Sequence, residues 1–180
     1  MKPVQFAIFI LCMGLFYATS CEKEKEKVWT ELPPETQQGA NTIGCLVDGE
    51  LWATSRLPRG IFQEESLIAI YAIDGPDSGL LHLHAEGRAG TMVFFITNPQ
   101  IGENKATVRA WFNLKPECER FSKEDIGTVY ITRLDTKGRV VSGRFALELP
   151  CEKNAENVIR ITEGRFDMYM DGDFSSLNNP

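Results

Sequence analysis

The sequence predicts an all-β fold: a single antiparallel, β-sandwich-like domain over residues 42–170, built of about nine or ten strands. Three observations carry this. From Thr42 onward, apolar residues recur with period 2, the spacing that places side chains on one face of a strand. Turn residues, such as Asp48-Gly49 and Asp74-Gly75-Pro76-Asp77-Ser78-Gly79, interrupt that pattern roughly every 8–12 positions. No apolar stripe of helical period is longer than one turn. A closed, calycin-like β-barrel is the alternative arrangement of the same strands.

In chain order, Ile43, Cys45 and Val47 alternate with Thr42, Gly44 and Leu46, and Glu50-Leu51-Trp52-Ala53 is the return strand. Asp48-Gly49 joins them as a two-residue hairpin turn, whose central positions need positive φ. Residues 54–65 read as a loop holding Pro58 and Gly60. Leu67 to Ile73 and Thr91 to Thr97 are apolar on both faces, as strands covered on both sides are, with Leu80 to Ala85 as a further strand between them. Asn98 to Lys105 reads as a polar loop. In Ala106 to Leu114, Ala106, Val108, Ala110, Phe112 and Leu114 share one face, opposite Thr107, Arg109, Trp111 and Asn113.

Residues 115–125 read as a charged loop, with Ser122 capping a helical turn over Ser122-Lys123-Glu124-Asp125. Thr128 to Leu134, the turn Asp135-Thr136-Lys137-Gly138 and Arg139 to Leu149 make a long hairpin. Between Val158 and Met170 the apolar positions switch from odd (Ile159, Ile161) to even (Phe166, Met168, Met170). That phase flip at Glu163-Gly164 predicts a β-bulge. Residues 171–180 read as a polar, frayed tail.

Ahead of the domain, Met1-Lys2, the apolar run Phe6 to Tyr17 and the small residues Ala18-Thr19-Ser20 have the layout of an export signal over residues 1–20. The run is too short to span a bilayer, which takes about 20 residues. Ala18-Thr19-Ser20-Cys21 resembles a bacterial lipobox, with alanine where leucine is usual, so Cys21 is the expected lipidation site. Residues 21–41 read as a tether: Glu22 to Lys27 alternates acid and base, Pro33-Pro34 stiffens the chain, and Gln37 to Asn41 loosens it. Removing the signal takes away one lysine and no acid. The mature chain then has 18 Lys and Arg against 25 acids and a net charge of −7, which makes nucleic acid an unfavourable partner. The expected location is the outer membrane of a Gram-negative envelope, with the lipid as membrane attachment.

Of five cysteines, Cys12 leaves with the signal and Cys21 takes the lipid. Cys45, Cys118 and Cys151 remain for an oxidising compartment, where one disulfide plus one thiol is expected. If Leu134 pairs with Arg139, Ser122 lies opposite Cys151 and Cys118 is four residues further on, so the expected bridge is Cys118–Cys151. Cys45 reads as a buried, inert thiol.

His82 and His84 would share a strand face and supply two metal ligands, but no sequence feature identifies a third; the alternative is a wet face opposite Leu81 and Leu83. Asp167, Asp171 and Asp173 with Asp74 and Asp77 are oxygen-rich, yet they lack EF-hand spacing and read as exposed acidic loops. No nucleophile elbow, Cys-His pairing signal or phosphate-binding glycine loop is present, so no catalytic residue, cofactor or metal is expected. Trp29, Trp52 and Trp111 are sugar-stacking candidates, with packing into a second layer of a sandwich as the favoured alternative. Trp111, opposite the apolar face of its strand, is the foremost of them.

The run Glu35 to Trp52, with its core Cys45-Leu46-Val47-Asp48-Gly49-Glu50-Leu51-Trp52, resembles a family of Bacteroidetes lipoproteins of unknown function. The stretches Val141-Ser142-Gly143-Arg144-Phe145 and Ile161-Thr162-Glu163-Gly164-Arg165-Phe166-Asp167 are similar to that family's closing strands. Lys23-Glu24 is a partial match to the surface-export signals of such lipoproteins. The resemblance implies an envelope lipoprotein and no particular chemistry. The expectation is a non-catalytic binding or interaction module that recruits a glycan, peptide or protein through loops 54–65, 98–105 and 115–125. A calycin-like barrel with a small apolar ligand, and less so a hydrolase, are the other readings.

Overall fold

The computed structural model describes residues 29–55, 67–73, 79–87, 90–112, 121–123, 127–151 and 156–173. Those residues form eleven strands and no helix: β1 (Thr42–Val47), β2 (Glu50–Ser55), β3 (Leu67–Ile73), β4 (Gly79–Gly87), β5 (Gly90–Thr97), β6 (Gly102–Lys105), β7 (Thr107–Phe112), β8 (Phe121–Lys123), β9 (Gly127–Asp135), β10 (Val140–Pro150) and β11 (Val158–Asp173). All belong to one sheet, ordered β6-β9-β10-β11-β3-β4-β5-β7-β8, with β1 joining both β11 and β2.

The sheet curls into a nearly closed barrel because the chain changes strand partners at two corners. β11 pairs with β1 through Ile161 to Asp167 and then, parallel, with β3 through Met170 and Asp173. At the other corner, β6 pairs with β9 from Gly102 to Lys105, and β7 pairs with β5 after the break at Ala106. A strand that leaves one layer for the other is how orthogonal sheets make corners. The all-β expectation holds, and the closure has the form of the barrel alternative.

The interior is one continuous apolar cluster. Phe94 of β5 meets Phe145 of β10 edge-on at 5.0 Å, and Trp52 of β2 meets Phe112 of β7 at 6.2 Å, so facing layers interlock. β5 is buried on both faces, at Met92, Phe94 and Ile96 inside and at Thr91 and Val93 outside, although Phe95 on that outer face is only half-buried. β3 is not buried on both faces. Its Leu67 and Ala69 are inside, whereas Ile68 and Ile70 are half-buried on the other face.

Several expectations are corrected. Residues 102–105 are strand, not loop. Asn104 enters the inner face there because its amide is satisfied by Gln100 N at 2.9 Å, Gln100 O at 2.8 Å and Gly102 O at 2.9 Å. Phe121–Lys123 is strand β8 where a helical turn was expected. Leu134 pairs with Val141 instead of Arg139, so the alignment that set Ser122 opposite Cys151 does not hold. β11 runs to Asp173, three residues into the expected tail. The predicted bulge is present: β11 slips between Ile161 and Gly164 against Leu147 and Phe145, with Glu163 at φ 53°. Residues 1–28, including Cys21, Cys118, and residues 174–180 lie outside the described residues.

Candidate functional site

The period-2 geometry of β4 sends Leu81, Leu83 and Ala85 inward and His82 and His84 outward. Strand register then decides their neighbours. His82 lies opposite Phe95 of β5, and Val93 lies opposite Arg109 of β7. The His82 ring stacks on Phe95 at 4.7 Å with 6° between the planes, and His84 stands edge-on to His82 at 6.3 Å. The Arg109 guanidinium sits over the same Phe95 ring, 5.4 Å from its centre. Trp111, two residues further along β7 on that face, is 43% exposed. Burial, and then the neighbouring His84, lower the pKa of His82 below its ordinary 6.5.

All three sequence candidates thus share the outer face of β4, β5 and β7, with His82 and His84 in ring contact. Among the described residues, no group of three or more His, Cys, Asp and Glu is placed to hold a metal ion. Trp52 is removed from the sugar-stacking set: it is 2% exposed and packed in the core. The sequence set Arg109 on the same strand face as Trp111 but did not reveal Phe95 as part of this surface. Phe95 sits in an unbroken apolar run, so only the register shows which way it faces.

The opposite wall of the barrel has a different cover. Residues 33–41, expected as the distal part of a tether, lie docked across β10 and β11. Asp167 of β11 organises this strap. Its carboxylate accepts hydrogen bonds from the Thr36 hydroxyl, from the backbone N–H groups of Gln38 (3.0 Å), Gly39 (2.9 Å) and Ala40 (3.1 Å), and from Ser142 Oγ (2.7 Å). Gly39 at φ 74° and Asn41 at φ 53° turn the chain so that successive N–H groups converge on one anion, the geometry of an anion nest. Arg133 donates to the Gln37 carbonyl, and the Tyr169 N–H donates to Asn41 Oδ1 at 2.8 Å. Asp167 is therefore a buried structural anion and not part of an exposed acidic loop.

Beside the strap, Tyr130, Arg144 and Arg165 occupy one row across β9, β10 and β11. Arg144 Nε donates to Glu35 of the strap at 2.8 Å, and Arg165 pairs with Glu163 at 3.6 Å. These residues, with Thr128, Phe145, Ala146 and Gly164, line an open groove of about 510 Å³. Sequence reasoning missed it, because the row exists only once the strands are aligned.

Cys45 is a free, fully buried thiol, and burial pushes its pKa up. Cys151 is buried as well. No protein-family model matches this chain, and comparison with curated proteins and with solved structures finds no match.

Proposed function

We propose that the protein is a non-catalytic binding module, held to an envelope outer membrane by lipid on Cys21, and that the outer face of β4, β5 and β7 is its recognition surface. The observation that carries the binding reading is the His82–Phe95–Arg109 stack beside half-exposed Trp111. A wet sheet face needs no stack of aromatic and arginine side chains to remain in contact with water. Trp and Arg on a rigid surface are instead the residue types that dominate binding energies. The partner is a glycan or a peptide segment of another protein. The lipid-anchor half rests on the lipobox-like Ala18-Thr19-Ser20-Cys21 and on the resemblance to Bacteroidetes envelope lipoproteins. With Cys45 free and Cys21 lipidated, Cys118 is the partner proposed for Cys151.

The barrel-like closure favours a second reading, a calycin-like carrier of a small apolar ligand, but Trp52, Phe94, Phe112, Phe145 and Phe166 fill the interior that such a ligand needs. A hydrolase has the least support: Glu35 and Glu163, the carboxylates of the open groove, are each held by an arginine.

Glycan and peptide arrays probed with the wild-type chain and with Trp111→Ala test the binding reading. Binding to a defined subset of spots, weakened about tenfold or more in the variant, supports it. Equal binding by both proteins removes this surface from the proposal. In parallel, palmitate labelling that persists in Cys21→Ala would remove the anchor.

A further inference from the structure

Arg144 and Arg165 face each other directly across the antiparallel pair β10–β11. Two like charges in that relation repel, and sheets avoid it unless something holds both. Here carboxylates do so: Glu35 binds Arg144 from the strap, and Glu163 approaches Arg165 from the bulge. The arginines are not equally committed. Arg165 is 21% exposed and also donates to the carbonyls of Pro33 and Glu163, at 3.4 and 3.3 Å. Arg144 is 63% exposed, and Glu35 is its carboxylate partner.

An exposed guanidinium thus carries a resident carboxylate supplied by a surface segment, next to a second guanidinium. Tyr130, directly opposite Arg144 on β9, is 52% exposed on the same groove wall. A planar guanidinium fork suits a carboxylate, and an exposed phenol ring offers the flat apolar surface on which a sugar ring stacks. The groove of about 510 Å³ has room for one or two sugar rings. The chain as a whole has net charge −6, so attraction here is local and not a product of the overall field.

We infer that the groove formed by Tyr130, Arg144 and Arg165 binds the carboxylate of an acidic sugar, and that Glu35 is the resident group the ligand displaces. This site is separate from the His82–Trp111 face and stands or falls independently of it.

The test is calorimetric titration of the mature chain with tri-galacturonate and with 3′-sialyllactose, using lactose as the neutral control. At least one acidic saccharide binds the wild type, and lactose does not. Arg144→Gln weakens binding about tenfold or more, and Tyr130→Ala weakens it several-fold. Glu35→Gln, which removes the competitor, tightens it about threefold or more. Both Arg144 and Tyr130 are exposed, so thermal midpoints of the variants stay near wild type. The inference is overturned if neither acidic saccharide binds wild type or Glu35→Gln. It is equally overturned if lactose binds as well as they do, or if affinity is unchanged in both Arg144→Gln and Tyr130→Ala.

Discussion

Ser142 of β10 donates its hydroxyl to the carboxylate of Asp167 on β11 at 2.7 Å, inside a contact that water does not reach. The two residues are register partners in the closing hairpin, so the bond ties neighbouring strands. Its larger consequence is orientation. With Oδ1 held by Ser142 and Gly39, Oδ2 is turned toward Thr36, Gln38 and Ala40, and a segment with no strand pairing of its own is fastened to the barrel wall. If Cys21 is lipidated as proposed, this clamp is where the tether ends and the domain begins.

Replacing Asp167 with Asn leaves the shape and removes the charge, and it turns an NH2 group toward backbone donors. A loss of about 2–3 kcal/mol in urea unfolding is expected, with an unchanged m-value. The pH dependence changes as well. Burial alone raises the Asp167 pKa, but the hydrogen bonds from Thr36, Ser142, Ala40 and Gln38 outweigh it, and the net value lies below the ordinary 3.8. A carboxylate whose pKa is depressed in the folded state contributes stability that is fully present above about pH 5 and is lost as pH falls through the folded pKa. The Asn variant should therefore be flatter on the acid side than the wild type. Parallel acid limbs would contradict the clamp.

Pro33 closes the strap's other end by lying on Gly44 of β1. A Cβ at Gly44 would stand 2.5 Å from Pro33 Cδ and 3.0 Å from the Ala53 side chain, so the strap is the part that must move. Gly44→Ala should cost about 1–3 kcal/mol. It should also speed hydrogen exchange at the Gln38, Gly39 and Ala40 amides while leaving the β10–β11 amides protected. Uniform acceleration across the sheet would mean that the strand itself, not the strap, had yielded.

The hairpin turn and the bulge were legible in the sequence, whereas the strands at 102–105 and 121–123 and the long-range register were not. Asp48-Gly49 announced its turn because the two residues sit at φ 49° and 87°, values that other side chains resist. The bulge showed as a phase flip around Glu163. By contrast, the corner at Ala106 is silent: Asn104, Ala106 and Val108 keep one inward alternation while the partner changes from β9 to β5. The polar side chains of Gly102–Lys105 then resemble a loop, since nothing local shows that Asn104 satisfies itself. For the site, His82 and His84 were legible as an outer pair from their spacing. Phe95, Arg109, Arg144 and Tyr130 joined their neighbours only through strand alignment, and Asp167 met Thr36 across 131 residues of chain.

The cysteines make a separable prediction. Cys45 is fully buried in β1 and its thiolate is disfavoured by burial, so thiol reagents should leave it unmodified in the folded protein and label it in denaturant. Peptide mapping of unreduced protein should link Cys151 to Cys118 and show Cys45 alkylated. A crosslink containing Cys45 would overturn both statements.

His82 ties the proposed recognition surface to pH. Its pKa is lowered by burial first and by the charge of His84 second, so the folded protein favours the neutral ring stacked on Phe95. A histidine whose folded pKa lies below 6.5 binds fewer protons than in the unfolded chain. Its contribution to stability is then present above that value and declines as pH falls through it. The ring is about half-buried, so the effect is small and is best read directly: the His82 ring proton should titrate by NMR with a midpoint below 6.5. Replacing His84 with Gln removes the second cause and should move that midpoint upward while leaving it depressed by burial. A midpoint in the variant equal to wild type would show that the two rings, 6.3 Å apart, do not sense each other's charge.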